Sequence, residues 1–244
     1  MARRKEQAGG SPERAIRVRD GLVVVLALTS GAVDAVTFVR LGKVFSSVIT
    51  GNLALLGIAA GQRDGSLAVS GGLALVGYGL GVIVGRVIVG TVADQRIWPR
   101  RTTVTLAAEL LVLAGFSVGW LVTSGSPVGG ARVVLVMVGA AAMGMQAAAV
   151  RRLGQMSSTY LTSTLTAMLE AFAIRRWPAD WQRSTGVILA VVAGAALGAA
   201  AATSAESLVP VAVLVPLAVV VACAARSASL RRPNIEGSPP TTGH

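Results

Sequence analysis

Eight apolar stretches, parted by short charged or Gly/Pro-bearing breaks, take up most of this chain: Gly21–Val39, Val44–Gly61, Ser66–Val92, Thr103–Thr123, Arg132–Val150, Met156–Ala173, Ser184–Thr203 and Ser207–Ala225. A membrane-crossing helix needs about 20 mostly apolar residues. Six of the stretches satisfy that easily. The second and the sixth do not, because Val44–Gly61 holds Ser46, Ser47, Thr50 and Asn52, while Met156–Ala173 holds a Ser/Thr-rich run and Glu170. Only 14% of the residues are charged and the mean hydropathy is +0.69, against about 25% charged in soluble domains. The chain therefore reads as an all-α integral membrane protein. The two ends, 1–20 and 226–244, are too short and polar to form a core of their own; the first is expected to be a cytoplasmic basic tail and the second a disordered cytoplasmic tail.

The stretch that organises the rest is Gly31–Leu56, because a version of it returns. Shifted by 112 residues, Ala35, Arg40, Leu41, Gly42, Ser46, Thr50 and Leu53 fall on Ala147, Arg152, Leu153, Gly154, Ser158, Thr162 and Leu165 without a gap. The same shift sets Asp34 opposite Gln146, Gly51 opposite Ser163 and Asn52 opposite Thr164. We read this as an internal duplication, with a first membrane repeat over 21–124 and a second over 128–225. Short polar segments at matched places in two halves point to broken or re-entrant helices lining a site.

Two topologies follow, and the positive-inside rule weighs them. With Arg86 set aside as intramembrane, six spans plus two re-entrant segments place 17 Lys and Arg residues on the cytoplasmic side and 4 outside, whereas eight full spans give 14 and 7. Six spans fit better. Each half then has an odd number of spans, so the second half is inverted relative to the first; eight spans, the alternative, would make the halves parallel. Both termini are expected in the cytoplasm, with the chain in the bacterial inner membrane.

The formal charge of +11 does not imply nucleic acid. The arginines flank apolar segments and have few aromatic neighbours on which bases would stack. One cysteine, Cys223, offers no intrachain disulfide, and the single histidine is the terminal His244. Histidine-based metal sites and Ser-His-Asp triads are excluded, no nucleotide-binding or metalloprotease motif is present, and no cofactor is expected.

The candidate functional residues are polar groups inside spans. Asp34 is the first, since an intramembrane carboxylate usually faces a cavity, a partner or an ion path; Arg40 lies six residues on, about 9 Å along a helix. Glu109 and Arg86 are the other ionisable groups well inside spans, and they are open to pairing with each other or with Asp34. Thr50, Gly51 and Asn52 form the most specific local signal. Glycine permits a break, and Thr and Asn satisfy freed backbone groups or bond a solute. A solute path is expected to be lined by Asp34, Thr50, Gly51, Asn52, Gln146, Thr162 and Thr164, with Arg86, Glu109, Arg40 and Arg152 as charge partners. Gly77, Gly81 and Gly85, and Ala190, Gly194 and Gly198, put small residues on one helix face each. Such faces serve close packing more often than motion, and the chain allows homo-oligomers.

These residues resemble the YoaK family, bacterial membrane proteins built around a domain of unknown function. The likeness rests on Gly31–Ala35 (Gly-x-x-Asp-Ala), on Phe45 followed by Thr50-Gly51-Asn52, and on Met143-Gly144-Met145-Gln146 leading to Arg151-Arg152 and Thr159-Tyr160-Leu161-Thr162. It covers nearly the whole chain apart from the tails. Members commonly have Asn after the Gln, where this chain has Ala147, and Thr-Gly in the second half, where it has Thr162-Ser163. The resemblance implies a membrane protein and no particular substrate or reaction. From the residues, three functions remain: passage of an unidentified small solute or ion; a membrane-embedded enzyme acting on lipid or quinone with Asp34 and Glu109 as a carboxylate pair; or an accessory, scaffolding subunit.

Overall fold

In lipid a spanning segment must bond its own backbone groups internally, so apolar stretches of this length become helices. The computed structural model describes residues 12–90, 97–153, 161–175 and 181–226. Its helices are α1 (Pro12–Arg40), α2 (Ile49–Gln62), α3 (Gly65–Val89), α4 (Arg100–Val122), α5 (Gly129–Arg152), α6 (Leu161–Ala173), α7 (Trp181–Ser204) and α8 (Val209–Arg226), with a 3-10 turn at Glu206–Leu208 before the last. Six of them, α1, α3, α4, α5, α7 and α8, are long and apolar enough to cross a membrane; α2 has 14 residues and α6 has 13. The split falls where length and polarity put it. The first helix begins at Pro12, nine residues before the apolar stretch that opens at Gly21.

Contacts between helix ends give each helix its direction. At one end of the bundle Arg40, closing α1, bonds Gly125 O in the α4–α5 connection and Ala202 O near the end of α7, and Arg132 at the start of α5 reaches Ser66 at the start of α3. At the other end Arg183 of α7 approaches Asp20 of α1 at 3.9 Å. Helices α1, α4 and α7 therefore run one way, and α3, α5 and α8 the other. Because α1 ends and α3 starts at the same end, the intervening α2 does not cross. The same holds for α6, between the end of α5 and the start of α7. The eight-span alternative is thereby corrected: α2, at about 21 Å, is too short to cross, and its flanks lie on one side.

Two parallel pairs, α1 with α7 and α3 with α5, make the most intimate contacts. A Cβ added to Gly81 would land on the carbonyl oxygen of Ala141, and one added to Gly194 would land on that of Leu28; only glycine lets the backbones come so close. The two pairs correspond residue by residue. Gly31 lies against Val191 O and Ala195 N, and Gly144 against Tyr78 O and Val82 N; Gly198 lies against Ala32, and Gly85 against Met145. Each contact has its counterpart 113 positions along the chain, one more than the 112 that matches Thr50 to Thr162.

The buried face of α4, with Leu106, Glu109, Leu113, Phe116 and Trp120 on it, packs between α5 and α8. Outward faces are apolar instead of charged: Leu111, Val87 and Ile83 expose 74%, 74% and 62% of their surface. Such faces suit a hydrocarbon solvent.

Candidate functional site

Asp34 sits one and a half turns before the end of α1, at 8% exposure. The chain leaves that helix at Leu41, folds back alongside it and enters α2 at Ile49, and this return brings Ser46 and Ser47 level with Asp34. Oδ1 accepts the backbone N–H groups of Ser46 and Ser47, at 2.7 Å each, and Oδ2 accepts the Ser47 hydroxyl at 2.5 Å. Ser30 in turn donates to the Ser47 oxygen at 2.9 Å. The Ser46 hydroxyl donates to Thr37 Oγ1 at 3.3 Å, and the Thr37 hydroxyl turns to the carbonyls of Val33 and Asp34. A buried connection carries backbone donors with no water to bond; the carboxylate meets two of them.

Asn52 completes the arrangement from α2. Fully buried, it donates Nδ2 to Phe45 O at 2.6 Å and accepts Phe45 N–H on Oδ1 at 2.9 Å, closing a ring with one backbone residue. The Phe45 ring stacks on Phe38 at 4.9 Å and packs against Gly51. Asp34 and Asn52 therefore hold the returning loop from both sides, while Thr50, in the first turn of α2, is exposed.

The other expected positions are not gathered there. Gln146 is buried in α5 and donates Nε2 to Leu26 O on α1 at 3.1 Å. Thr164 is half-buried on α6, and the side chain of Thr162 lies outside the described residues. Arg152, half-buried, closes α5 at the opposite end from Arg40.

The expected charge pairings are also different. Arg86 is exposed in the last turn of α3 and bonds Gly90 O at 2.6 Å, satisfying the end of its own helix; it pairs with neither Glu109 nor Asp34. Arg40 does not meet Asp34. It bonds Ser126 Oγ and Glu206 Oε1 besides the two carbonyls already named, and it stands 5.9 Å over the Trp120 ring. Trp120 Nε1 donates to Glu206 O. Glu206, absent from the sequence reading, thus joins Arg40 in a clamp that ties α1, α4 and α7 at one end.

Glu109 is fully buried, and both its carboxylate oxygens lack a hydrogen-bond partner among the described residues. Asp34 and Glu109 are not hydrogen-bonded to each other. Also buried and unbonded are Thr29 Oγ1, Thr102 Oγ1, Ser117 Oγ and Gln146 Oε1. Thr29 and Ser117 lie in apolar runs and Thr102 just before one, none of them in a motif, which is why sequence reasoning passed over them.

Six long apolar helices, two short ones and buried polar groups between them define a polytopic helical membrane protein. The chain belongs to the family described as protein of unknown function, DUF1275, which it matches over residues 22–225. It is 36% identical over 154 residues to the UPF0700 transmembrane protein YoaK of Bacillus subtilis (strain 168); the match covers 62% of this chain and 66%, just under two thirds, of that protein. No solved structure matches it.

Proposed function

We propose that this protein passes a small solute or ion across the bacterial cytoplasmic membrane, along a path between two inverted halves. The observation that carries the reading is the correspondence between the α1–α7 and α3–α5 pairs: glycine-mediated contacts recur 113 positions apart between helices that run in opposite directions. Inverted halves with short helices at matched places are the architecture in which one half rocks against the other around a central site. Here the short helices are α2 and α6, and Asp34 and Asn52 act as a fastening that keeps the loop before α2 in place. The end of the bundle rich in arginine, where α1 begins and α8 ends, faces the cytoplasm by the positive-inside rule.

The test is electrical current on a solid-supported membrane bearing proteoliposomes of the full chain, scanned with sodium, potassium and pH jumps and a panel of small anions, amines and amino acids. At least one jump is expected to give a protein-dependent current. Gly194→Leu, which forces α1 and α7 apart, should abolish it. Silence across the panel, with protein verified in the vesicles, rejects transport of these classes.

A further inference from the structure

Glu109 is the one buried ionisable side chain among the described residues that bonds nothing. Taking a carboxylate out of water without donors or a counter-charge is among the most expensive acts in folding, so a bare anion does not persist there. Among the described residues no cation bonds it, and α3, which also packs on α4, carries only Arg86. Between Asp20 and Arg40 α1 carries only Asp34; α4 carries only Glu109 after Arg101; α5 carries no charge between Arg132 and Arg151, and α8 none before Arg226. Asp34 is taken up by its serines, Arg86 by Gly90 O and Arg40 by the far-end clamp.

Other buried side-chain oxygens also lack a partner among the described residues. Phe116 of α4 packs on Gly139 of α5, where an added Cβ would meet the ring at 3.4 Å. Glu109 and Gln146 each lie seven residues from that contact along antiparallel helices, so they share a level and a face two turns further on. The Gln146 amide must point its N–H at Leu26 O, because a carbonyl only accepts; its own Oε1 is therefore directed elsewhere, buried and unbonded. Thr29, three residues beyond Leu26 and about 4.5 Å along α1, brings a third unbonded oxygen.

We propose that Glu109, the Gln146 carbonyl oxygen and the Thr29 hydroxyl form a buried site for one monovalent cation, a proton or an alkali ion. One carboxylate neutralises one charge, which is why a divalent ion is not invoked. A proton on Glu109 would give the acid a donor to match the free acceptors, whereas an alkali ion would take the same oxygens as ligands. As the coupling site of the transporter this rests on the transport reading; as a binding site it does not, and it is tested without flux.

The experiment uses the full chain in nanodiscs, with two probes: radioactive sodium binding at neutral pH, and the carboxylic C=O infrared band followed through a pH titration. Either stoichiometric sodium binding or a buried-acid band is expected, the first identifying an alkali site and the second a proton site, and Glu109→Gln should remove it. Gln146→Leu and Thr29→Val keep the carboxylate. Each should weaken sodium binding about tenfold, or displace the band's titration about tenfold in proton concentration. If neither signal depends on Glu109 in a variant that elutes and absorbs in the far-UV like the parent, the site is rejected. Should Glu109→Gln not fold, unchanged signals in the other two variants reject it equally. Binding without current in proteoliposomes keeps the site and removes the transport reading; current that survives Glu109→Gln undiminished removes the site's coupling role and keeps transport.

Discussion

Two carboxylates are buried among the described residues, and the protein treats them oppositely. Asp34 accepts three hydrogen bonds from Ser46 and Ser47, two of them backbone donors of a loop that must turn inside the protein. Glu109, buried more deeply, accepts none. A residue's place in a span does not therefore reveal its work. A carboxylate that accepts three hydrogen bonds has its acceptor capacity largely filled; one that accepts none among the described residues has it free. The two are served by different helices as well, Asp34 by the α1–α2 return and Glu109 by α4 facing α5.

The largest effect separating them is expected from Asp34→Ala. Removing the carboxylate orphans two buried amides and a hydroxyl, at about 1–3 kcal/mol for each unsatisfied group, or on the order of 3–9 kcal/mol in all. Thermal unfolding in detergent should show a large loss of stability, and a single cysteine at Ser46, in a Cys223→Ala background, should become reactive to a thiol reagent. A loss below about 1 kcal/mol would mean that the loop does not depend on Asp34. Asp34→Asn should fall between, since its amide oxygen still accepts from the loop N–H groups while its NH2 is set against a donor.

Asn52→Leu sharpens the same side of the comparison. It is close in volume but strips both partners from Phe45, whose N–H and C=O lie in a half-buried loop. About 2–3 kcal/mol is expected, less than for Asp34→Ala because two bonds go rather than three. If Asn52→Leu costs more, the fastening lies mainly on the α2 side, and Asp34 is the accessory.

Much of this was legible beforehand, for identifiable reasons. Span length and polarity separated six helices from two, since a bilayer sets a minimum length and Val44–Gly61 and Met156–Ala173 hold polar residues that break the apolar run. The distribution of Lys and Arg favoured the six-span topology that the helix ends display. Asp34 and Asn52 stood out because polarity in an apolar run is visible without a structure. Their partners were not visible: Ser46 and Ser47 are reached by a loop return that has no periodicity, and Phe45 contributes only backbone. The Arg40–Glu206 pair spans 166 positions, and no local pattern links them. The close contacts of Gly31 and Gly144 exist only after packing, and no pattern in the sequence announces them. Glu109 was noticed as a charge, but its isolation belongs to three other helices.

That isolation sets the smallest effect in the series and the most discriminating one. Glu109→Gln is nearly isosteric, and no hydrogen bond is lost with the carboxylate. A neutral amide is also less costly to bury than an ion. Stability should therefore stay within about 1 kcal/mol of the parent, or rise; thermal unfolding measured without sodium at neutral pH checks this. The cation should act in the opposite sense. If an alkali ion occupies the site, adding sodium should raise the parent's unfolding temperature and leave that of Glu109→Gln unmoved, because a ligand stabilises only the state that binds it. If Glu109→Gln instead loses as much stability as Asp34→Ala, Glu109 is bonded in the membrane after all. The two carboxylates would then do the same work, and the contrast between them would fall.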